Sequence, residues 1–254
     1  MSGRIILVWF RNDLRSHDNE VLVRALEQGN QMIPVYCFDP RHYAFQETGI
    51  RKTGVLRAEF IRRNVQALRD VFRQAGGDLF VTHGPPAEVL PALCERWKVD
   101  EVYHHREVAF EETEVSGEVE TALWKQQINL RHFIGHTLYH KEDLPYPIKD
   151  IPDSFSQFRK KTERESSVRP GFEKPTAYRF AEFEQDSVIP TLSELGYEAE
   201  EIALTENLTL RGGEEAAFLA LDQFIETPQA FDHGTGLSPY VSVGSLSPNT
   251  YHHK

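Results

Sequence analysis

The chain has 254 residues, of which 40% are hydrophobic and 26% are charged, with 16 glycines and 14 prolines. These values are ordinary for a globular protein and exclude collagen-like and low-complexity chains. Lys and Arg number 28 against 39 Asp and Glu, which gives a net charge of −11. Because a strongly acidic chain repels phosphate backbones, any contact with nucleic acid must be local.

Two further absences in the sequence narrow the class of protein. No apolar run approaches the ~18 residues that a membrane span needs, so we expect no membrane partner. The only cysteines are Cys37 and Cys94. Two cysteines make neither a disulfide framework nor a metal cluster, which favours a reducing, cytoplasmic location.

Five apolar runs of strand length lie within the first 135 residues. Continuous runs of this kind are typical of strands that are buried on both faces of a sheet. The predicted strands are Ile5–Phe10, Met32–Phe38, Asp78–His83, Val99–His104 and Ile128–Ile134.

Between these strands, apolar residues recur with the period of a helix. The first helix is capped by Asp18 or Asn19 and ends at Gly29. The later ones are predicted over Val55–Gln74, Ala87–Trp97 and Glu112–Gln126. Strands separated by helices indicate an α/β fold with a parallel sheet that is covered on both faces. Ligands of such sheets bind at the carboxyl ends of the strands.

The segment after the first strand, Arg11–Asn19, contains no glycine. A dinucleotide-binding turn needs glycines because the backbone approaches the pyrophosphate closely. The chain has no phosphate-binding loop of the Walker type either. An unrelated adenine-nucleotide protein with a similar sheet is therefore disfavoured.

Beyond residue 135 the sequence changes character. Prolines are frequent up to Pro175, which predicts a long connector that carries short helices. A helical period returns over 214–226. Ser238-Pro239 and Ser247-Pro248 each look like an N-cap followed by the first residue of a helix. Since the second of these helices would have only a few residues before Lys254, we expect the sequence to end inside a domain.

Charged residues in three places admit more than one interpretation. We expect Asp18 to cap a helix, and Arg11 and Arg15 to pair with carboxylates across a domain junction. The histidines match no zinc spacing and are expected to be solvated or in the core: His104, His105, His132, His136 and His140. One local basic stretch would suit phosphates, but interrupting glutamates favour a solvated connector. That stretch contains Arg159, Lys160, Lys161, Arg164 and Arg169.

Several long strings in this sequence resemble one known family. Val8–Arg15, followed by His17–Asn19, resembles the opening signature of the DNA photolyase/cryptochrome family. The strings that resemble the cryptochrome DASH branch are Gly135–His140, Asp143–Tyr146 and Ile151–Lys160. The strings that resemble the start of that family's flavin-binding helical domain are Gly236–Tyr240 and Gly244–Pro248.

The resemblance implies three parts: an α/β antenna domain over 1–136, a connector over 137–206, and the incomplete beginning of a helical FAD-binding domain over 207–254. In the family, light excites reduced FAD, which donates an electron to a cyclobutane pyrimidine dimer and splits it. The DASH branch is associated with dimers in single-stranded DNA. The expected full-length protein is thus a monomeric, metal-free deoxyribodipyrimidine photo-lyase that binds damaged DNA. The alternative is a non-catalytic blue-light photoreceptor, since fold does not fix function.

The same resemblance assigns four candidate cofactor residues and no catalytic residue. Thr235, Leu237 and Ser238 fall where the family holds the FAD phosphates, although Gly236 stands where a Lys or Arg is common. Glu111 falls where a carboxylate bonds the pterin of a 5,10-methenyltetrahydrofolate antenna. The competing interpretations are an ordinary capped turn and a solvated acidic helix face.

The tryptophans bear on what this length of chain can do. All three, Trp9, Trp97 and Trp124, lie in the antenna-type part, whereas the family's flavin is photoreduced through tryptophans of the helical domain. We therefore expect the chain alone to be inactive and to purify without flavin, with folate at most.

Overall fold

A single five-stranded sheet forms the centre of the molecule in a computed structural model, which describes residues 3–227 and 234–254. All four strand pairs are parallel, in the order β3-β2-β1-β4-β5. The strands are β1 (Ile5–Phe10), β2 (Gln31–Phe38), β3 (Phe80–His83), β4 (Glu101–His105) and β5 (Asn129–Phe133). The predicted parallel α/β fold is confirmed, and strand ends differ from the prediction by two residues at most.

Helices connect the strands and continue beyond them. Four lie between strands: α1 (Glu20–Ala25), α2 (Val55–Gln74), α3 (Pro86–Trp97) and α4 (Phe110–Trp124). The others that the structure describes are α5 (Phe155–Glu165), α6 (Ala199–Ala203), α7 (Glu214–Glu226), α8 (Ser238–Val243) and α9 (Pro248–His253). No helix in the described part of the chain has the length and apolar character to cross a membrane.

Alternate residues of β1 face two separate hydrophobic cores, because successive side chains of a strand point to opposite faces. Ile6, Val8 and Phe10 pack in the core formed with α1 and α2. Leu7 and Trp9 pack in the core formed with α3 and α4. Helices α7 and α8 join the first core, so they are packed against the α2 side of the sheet.

A buried ion pair fixes the end of α2 to the segment that leads into β3. Arg69 Nε lies 2.7 Å from Asp78 Oδ1, and both side chains are at least 95% buried. Arg73 adds a second contact of 3.1 Å to the same carboxylate. Burial opposes the ionisation of Asp78, but hydrogen bonds from both arginines outweigh it and lower the pKa of this carboxyl.

Among the predicted helix caps, Asp18 and Ser238 are wrong, whereas Asn19 and Ser247 are confirmed. Asn19, not Asp18, caps α1 by accepting the N–H of Leu22. Asp18 has a φ of 41°, and its carboxylate accepts the N–H of Phe172 instead. Ser247 caps α9 as predicted, by accepting the N–H of Asn249.

At the other predicted cap, the helix begins one residue earlier than expected. Ser238 is already the first residue of α8, because Leu237 before it has helical angles (φ −88°, ψ −16°) and holds the cap position without a side-chain bond.

Candidate functional site

A pocket of about 380 Å³ opens at the carboxyl edge of the sheet. The strand order reverses between β1 and β4 at this edge, which is where open α/β sheets bind ligands. The lining combines aromatic rings with charged groups: Trp9, Phe10, Arg11, Asn12, Tyr36, Cys37, Asp39, His42, Tyr43, Lys52, Thr53, Arg57, Ile61, Pro86, Glu112 and Val115.

Trp9 forms one wall of this pocket and is in contact with two other side chains. Its ring stacks on His104 with 5.0 Å between ring centroids. The Arg11 guanidinium lies 4.8 Å from the Trp9 ring centroid. Arg11 also donates to Ser116 Oγ at 2.9 Å. Since burial disfavours the cation, the pKa of Arg11 is lowered.

The acidic groups of the pocket are already paired with cations of the chain. Asp39 accepts from Arg41 Nε at 3.0 Å and Nη2 at 2.7 Å. Burial opposes the ionisation of Asp39, but these bonds hold the pKa of its carboxyl below the usual value. Glu112 pairs with Lys52 at 3.0 Å. A ligand therefore meets a pocket whose carboxylates are neutralised, with aromatic walls on which a conjugated ring can stack.

Glu111 lies in the first turn of α4, next to the lining residue Glu112, but is not itself part of the pocket lining. Its carboxylate is paired with Lys52, and its side chain is 64% exposed. Lys52 bridges Glu111 and Glu112. Burial disfavours the ammonium, but hydrogen bonds to the two carboxylates raise the pKa of Lys52. Glu111 is thus within one ion pair of the pocket lining, on the side where α4 begins.

The turn with the other three predicted residues lies elsewhere, before α8. Leu237 is buried and its N–H donates to Thr235 Oγ1 at 3.2 Å. Ser238 is exposed. Gly234 and Gly236 have φ values of 119° and 69°. In the described part of the chain, no hydrogen bond or ion pair joins this turn to Glu111.

The loop after β1 packs against the end of α8. Arg15 is 1% exposed and donates to the carbonyl oxygens of Gly135 at 3.1 Å and Gly244 at 3.0 Å. The prediction that Arg11 and Arg15 pair with carboxylates is wrong, because their guanidinium groups donate to carbonyls and a hydroxyl.

A buried acid–histidine pair at the same loop was not predicted. Asp13 Oδ2 lies 2.7 Å from His105 Nδ1, and both side chains are at most 1% exposed. Burial opposes the ionisation of Asp13, but the hydrogen bond and charge of His105 outweigh it and hold the pKa of this carboxyl well below its usual range. The signal in the sequence was that Asp13 follows a buried strand by three residues and that His105 lies at the end of another.

The other histidines also contact side chains of the chain itself. His104 Nε2 lies 2.7 Å from His132 Nδ1, and His136 Nε2 lies 3.7 Å from Glu107 Oε1. Within residues 3–227 and 234–254, no three His, Cys, Asp or Glu side chains are grouped as metal ligands would be.

Comparison with known proteins gives one consistent result. The family profile described as DNA photolyase matches residues 6–177. "Cryptochrome DASH" of Gloeobacter violaceus is 35% identical over 265 residues, which cover 99% of this chain and 53% of that protein. "Blue-light photoreceptor PHR2" of Arabidopsis thaliana is 34% identical over 97% of this chain and 60% of that protein.

A solved structure extends the similarity to the fold. The crystal structure of the Synechocystis sp. PCC6803 cryptochrome matches with a TM-score of 0.88 and 33% identity, over 100% of this chain and 55% of that one. The chain therefore spans about half the length of the relatives it matches.

Proposed function

We propose, from the premise that this chain belongs to the photolyase/cryptochrome family, that it forms the light-harvesting part of a cryptochrome DASH photolyase. The full protein would use blue light and FAD to split cyclobutane pyrimidine dimers in single-stranded DNA. The observation that carries this proposal is the pocket at the carboxyl edge, with stacked aromatic walls and neutralised carboxylates.

The pocket fits a folate antenna in two respects. Its volume of about 380 Å³ lies within the range of small-molecule sites, and Glu111, which is paired with the lining residue Lys52, has 64% of its side chain exposed. A carboxylate accepts two parallel N–H bonds from a pterin edge. Bound 5,10-methenyltetrahydrofolate would supply absorption of blue light. The ion pair with Lys52 would hold Glu111 in place beside the pocket.

The turn before α8 fits the phosphates of FAD less completely. The Leu237 N–H is already bonded to Thr235 Oγ1, so in this arrangement a phosphate would contact the Thr235 and Ser238 hydroxyls. Bound FAD would supply the electron for dimer splitting. The α8 segment is held against the α/β part by the Leu14 N–H, which donates to the Val243 carbonyl at 3.1 Å.

Titration with the folate tests the antenna assignment. We expect the chain to bind 5,10-methenyltetrahydrofolate with a shift in its absorption band, and Glu111→Gln to weaken binding about tenfold, as for loss of a charge-assisted bond. Glu114→Gln, an exposed carboxylate three residues along α4, is the matched control. Equal affinity of the two variants would exclude Glu111 from the site.

The alternative function is a non-catalytic blue-light photoreceptor, which the similarity to the Arabidopsis relative favours. Repair of a dimer-containing oligonucleotide by the full-length protein under blue light separates the two functions. A light-induced flavin spectrum without repair supports the photoreceptor. A monomer in the cytoplasm is part of the same proposal.

A further inference from the structure

A second cavity, of about 490 Å³, opens at the carboxyl edge of the sheet beyond β4 and β5. Among the described residues, none lines both this cavity and the pocket beside Trp9. Its polar lining includes an imidazole, an amide and three carboxylates, and its apolar walls are Ile134, Leu138, Pro170, Phe172 and Pro248. Because open parallel sheets bind ligands at this edge, the cavity is a second candidate site.

Two polar atoms of this lining are buried and have no hydrogen-bond partner in the described part of the chain, namely His105 Nε2 and Asn249 Oδ1. His105 is 1% exposed, and its Nδ1 lies 2.7 Å from Asp13 Oδ2. Since that carboxylate accepts the Nδ1 proton, Nε2 of the neutral ring is a hydrogen-bond acceptor. Buried acceptors are normally paired, so both atoms call for an N–H or O–H donor inside the cavity.

Two glycines leave space beside the polar atoms of the cavity. A Cβ at Gly135 would lie 2.5 Å from His105 Nε2, and a Cβ at Gly171 would lie 3.1 Å from Asp18 Oδ1. Neither glycine has a φ in the left-handed region, so the available space favours glycine here and the backbone conformation does not require it. A side chain at position 135 would fill the space in front of the Nε2 acceptor, where the donor of a ligand would lie.

The charge that remains unpaired at the open side of this cavity is negative. Both arginines of the lining are already paired, since Arg24 Nη1 lies 2.8 Å from Glu27 Oε1 and Arg169 Nε lies 2.5 Å from Asp143 Oδ2. Glu173 also lines the cavity and is exposed, and its side chain has no hydrogen bond or ion pair with the described residues. A cationic group of a ligand can therefore pair with Glu173 without displacing another cation.

We propose that this cavity binds an aromatic amine that carries an O–H or N–H donor opposite its ammonium group. The ammonium pairs with Glu173 at the open side, and the ring packs on Leu138 and on Phe172, which is 37% exposed. The inner donor bonds His105 Nε2 or Asn249 Oδ1. An anionic ligand would place a second negative charge beside Glu173. The site goes beyond the proposed function, because neither FAD nor folate is assigned to it and its binding needs no light.

Isothermal titration calorimetry in the dark tests this site with tyramine, which has an ammonium group, a ring and a phenolic O–H. Tyrosol, in which a neutral hydroxyl replaces the ammonium, should bind about tenfold more weakly, as for loss of a charge-assisted bond. Phenethylamine, which lacks the phenolic O–H, should bind about fivefold more weakly, because a buried acceptor stays unpaired. The anion para-hydroxyphenylacetate should not bind.

Substitutions at the two ends of the cavity locate the ligand. Glu173→Gln should weaken tyramine binding about tenfold and leave tyrosol binding unchanged, because only the ammonium pairs with this carboxylate. Glu182→Gln, an exposed carboxylate outside the lining, is the matched control and should bind tyramine like the parent chain. Gly135→Ala should abolish the binding of both compounds, whereas Gly117→Ala, in α4 with open space around it, should not affect it.

Four results would overturn the site. They are absence of tyramine binding, equal weakening by Glu173→Gln and Glu182→Gln, binding of tyrosol or phenethylamine as tight as that of tyramine, and unchanged tyramine binding by a folded Gly135→Ala variant. Circular dichroism shows whether Gly135→Ala is folded, and if it is not, the other three results decide. Glu111→Gln should bind tyramine like the parent chain, so failure of the folate assignment and failure of this site are scored separately.

Discussion

Replacing Glu214 with Gln tests the contact between α7 and the loop after β1. The Glu214 carboxylate accepts from Ser16 Oγ at 2.7 Å and from the His17 N–H at 2.9 Å, and it contacts the His17 ring at 2.5 Å. Its side chain is 9% exposed. Burial opposes its ionisation, but the bonds and charge of His17 outweigh burial and lower the pKa of Glu214 to about 2.

The free energy at stake follows from that pKa. A carboxyl with a pKa of about 2 when folded and 4.5 when unfolded stabilises the folded state by about 3 kcal/mol at neutral pH. Because the folded pKa is the lower one, this stability is present above the unfolded pKa and is lost as pH falls from about 4.5 towards about 2. At pH ~3.5 about 2 kcal/mol remains.

Urea unfolding followed by tryptophan fluorescence measures the effect. Glu214→Gln should lower the free energy of unfolding by about 3 kcal/mol at neutral pH and by about 1 kcal/mol less at pH ~3.5. Glu215→Gln, at the next and exposed position, should change it by less than about 0.5 kcal/mol at either pH. A Glu214→Gln deficit that is equal to the control, or independent of pH, would refute the reasoning.

Two further substitutions test the packing by urea unfolding. Gly244→Ala would place a Cβ 1.9 Å from the Asn12 carbonyl oxygen at a φ of 72°, and should destabilise the fold by about 2 kcal/mol or more. Gly117→Ala, in α4 with open space around it, should stabilise the fold by about 0.5–1 kcal/mol. Similar effects of the two substitutions would contradict the close approach of Gly244 to the Asn12 carbonyl. Arg69→Met leaves buried Asp78 with the half-exposed Arg73 as its remaining cation and with the Leu79 N–H, and should cost about 3–5 kcal/mol. A cost below about 1 kcal/mol would show that Arg73 and the Leu79 N–H suffice for Asp78.

Local patterns predicted the fold well because burial and periodicity act over a few residues. The limits of β1, α2 and α7 agree with the prediction to the residue. What sequence could not supply is the partner of a polar side chain. Asp13 and His105 are 92 positions apart, and only the pairing of β1 with β4 brings them together.

The same limit explains the errors at charged residues. Arg15 suggested a carboxylate partner because charges commonly pair, but the fold offers it carbonyls of Gly135 and Gly244. The local sequence does not indicate which backbone carbonyls remain free to accept a hydrogen bond from a side chain. The assignments of Glu111, Thr235, Leu237 and Ser238 rest on resemblance, and they stay predictions.

The glycine-free loop after β1 bears on where a ligand can bind at the carboxyl edge of the sheet. A dinucleotide-binding turn brings a ligand close to its own backbone and needs its own glycines for that approach. In this chain it is Gly244, not a ligand, that lies close to the backbone of the loop, because a Cβ at Gly244 would meet the Asn12 carbonyl oxygen. Arg15 of the loop also donates to the Gly244 carbonyl. The loop is therefore occupied by its contact with α8. A ligand at the carboxyl edge of the sheet can therefore bind in the pocket beside this loop. The walls of that pocket are side chains such as Trp9 and Tyr43 rather than exposed backbone.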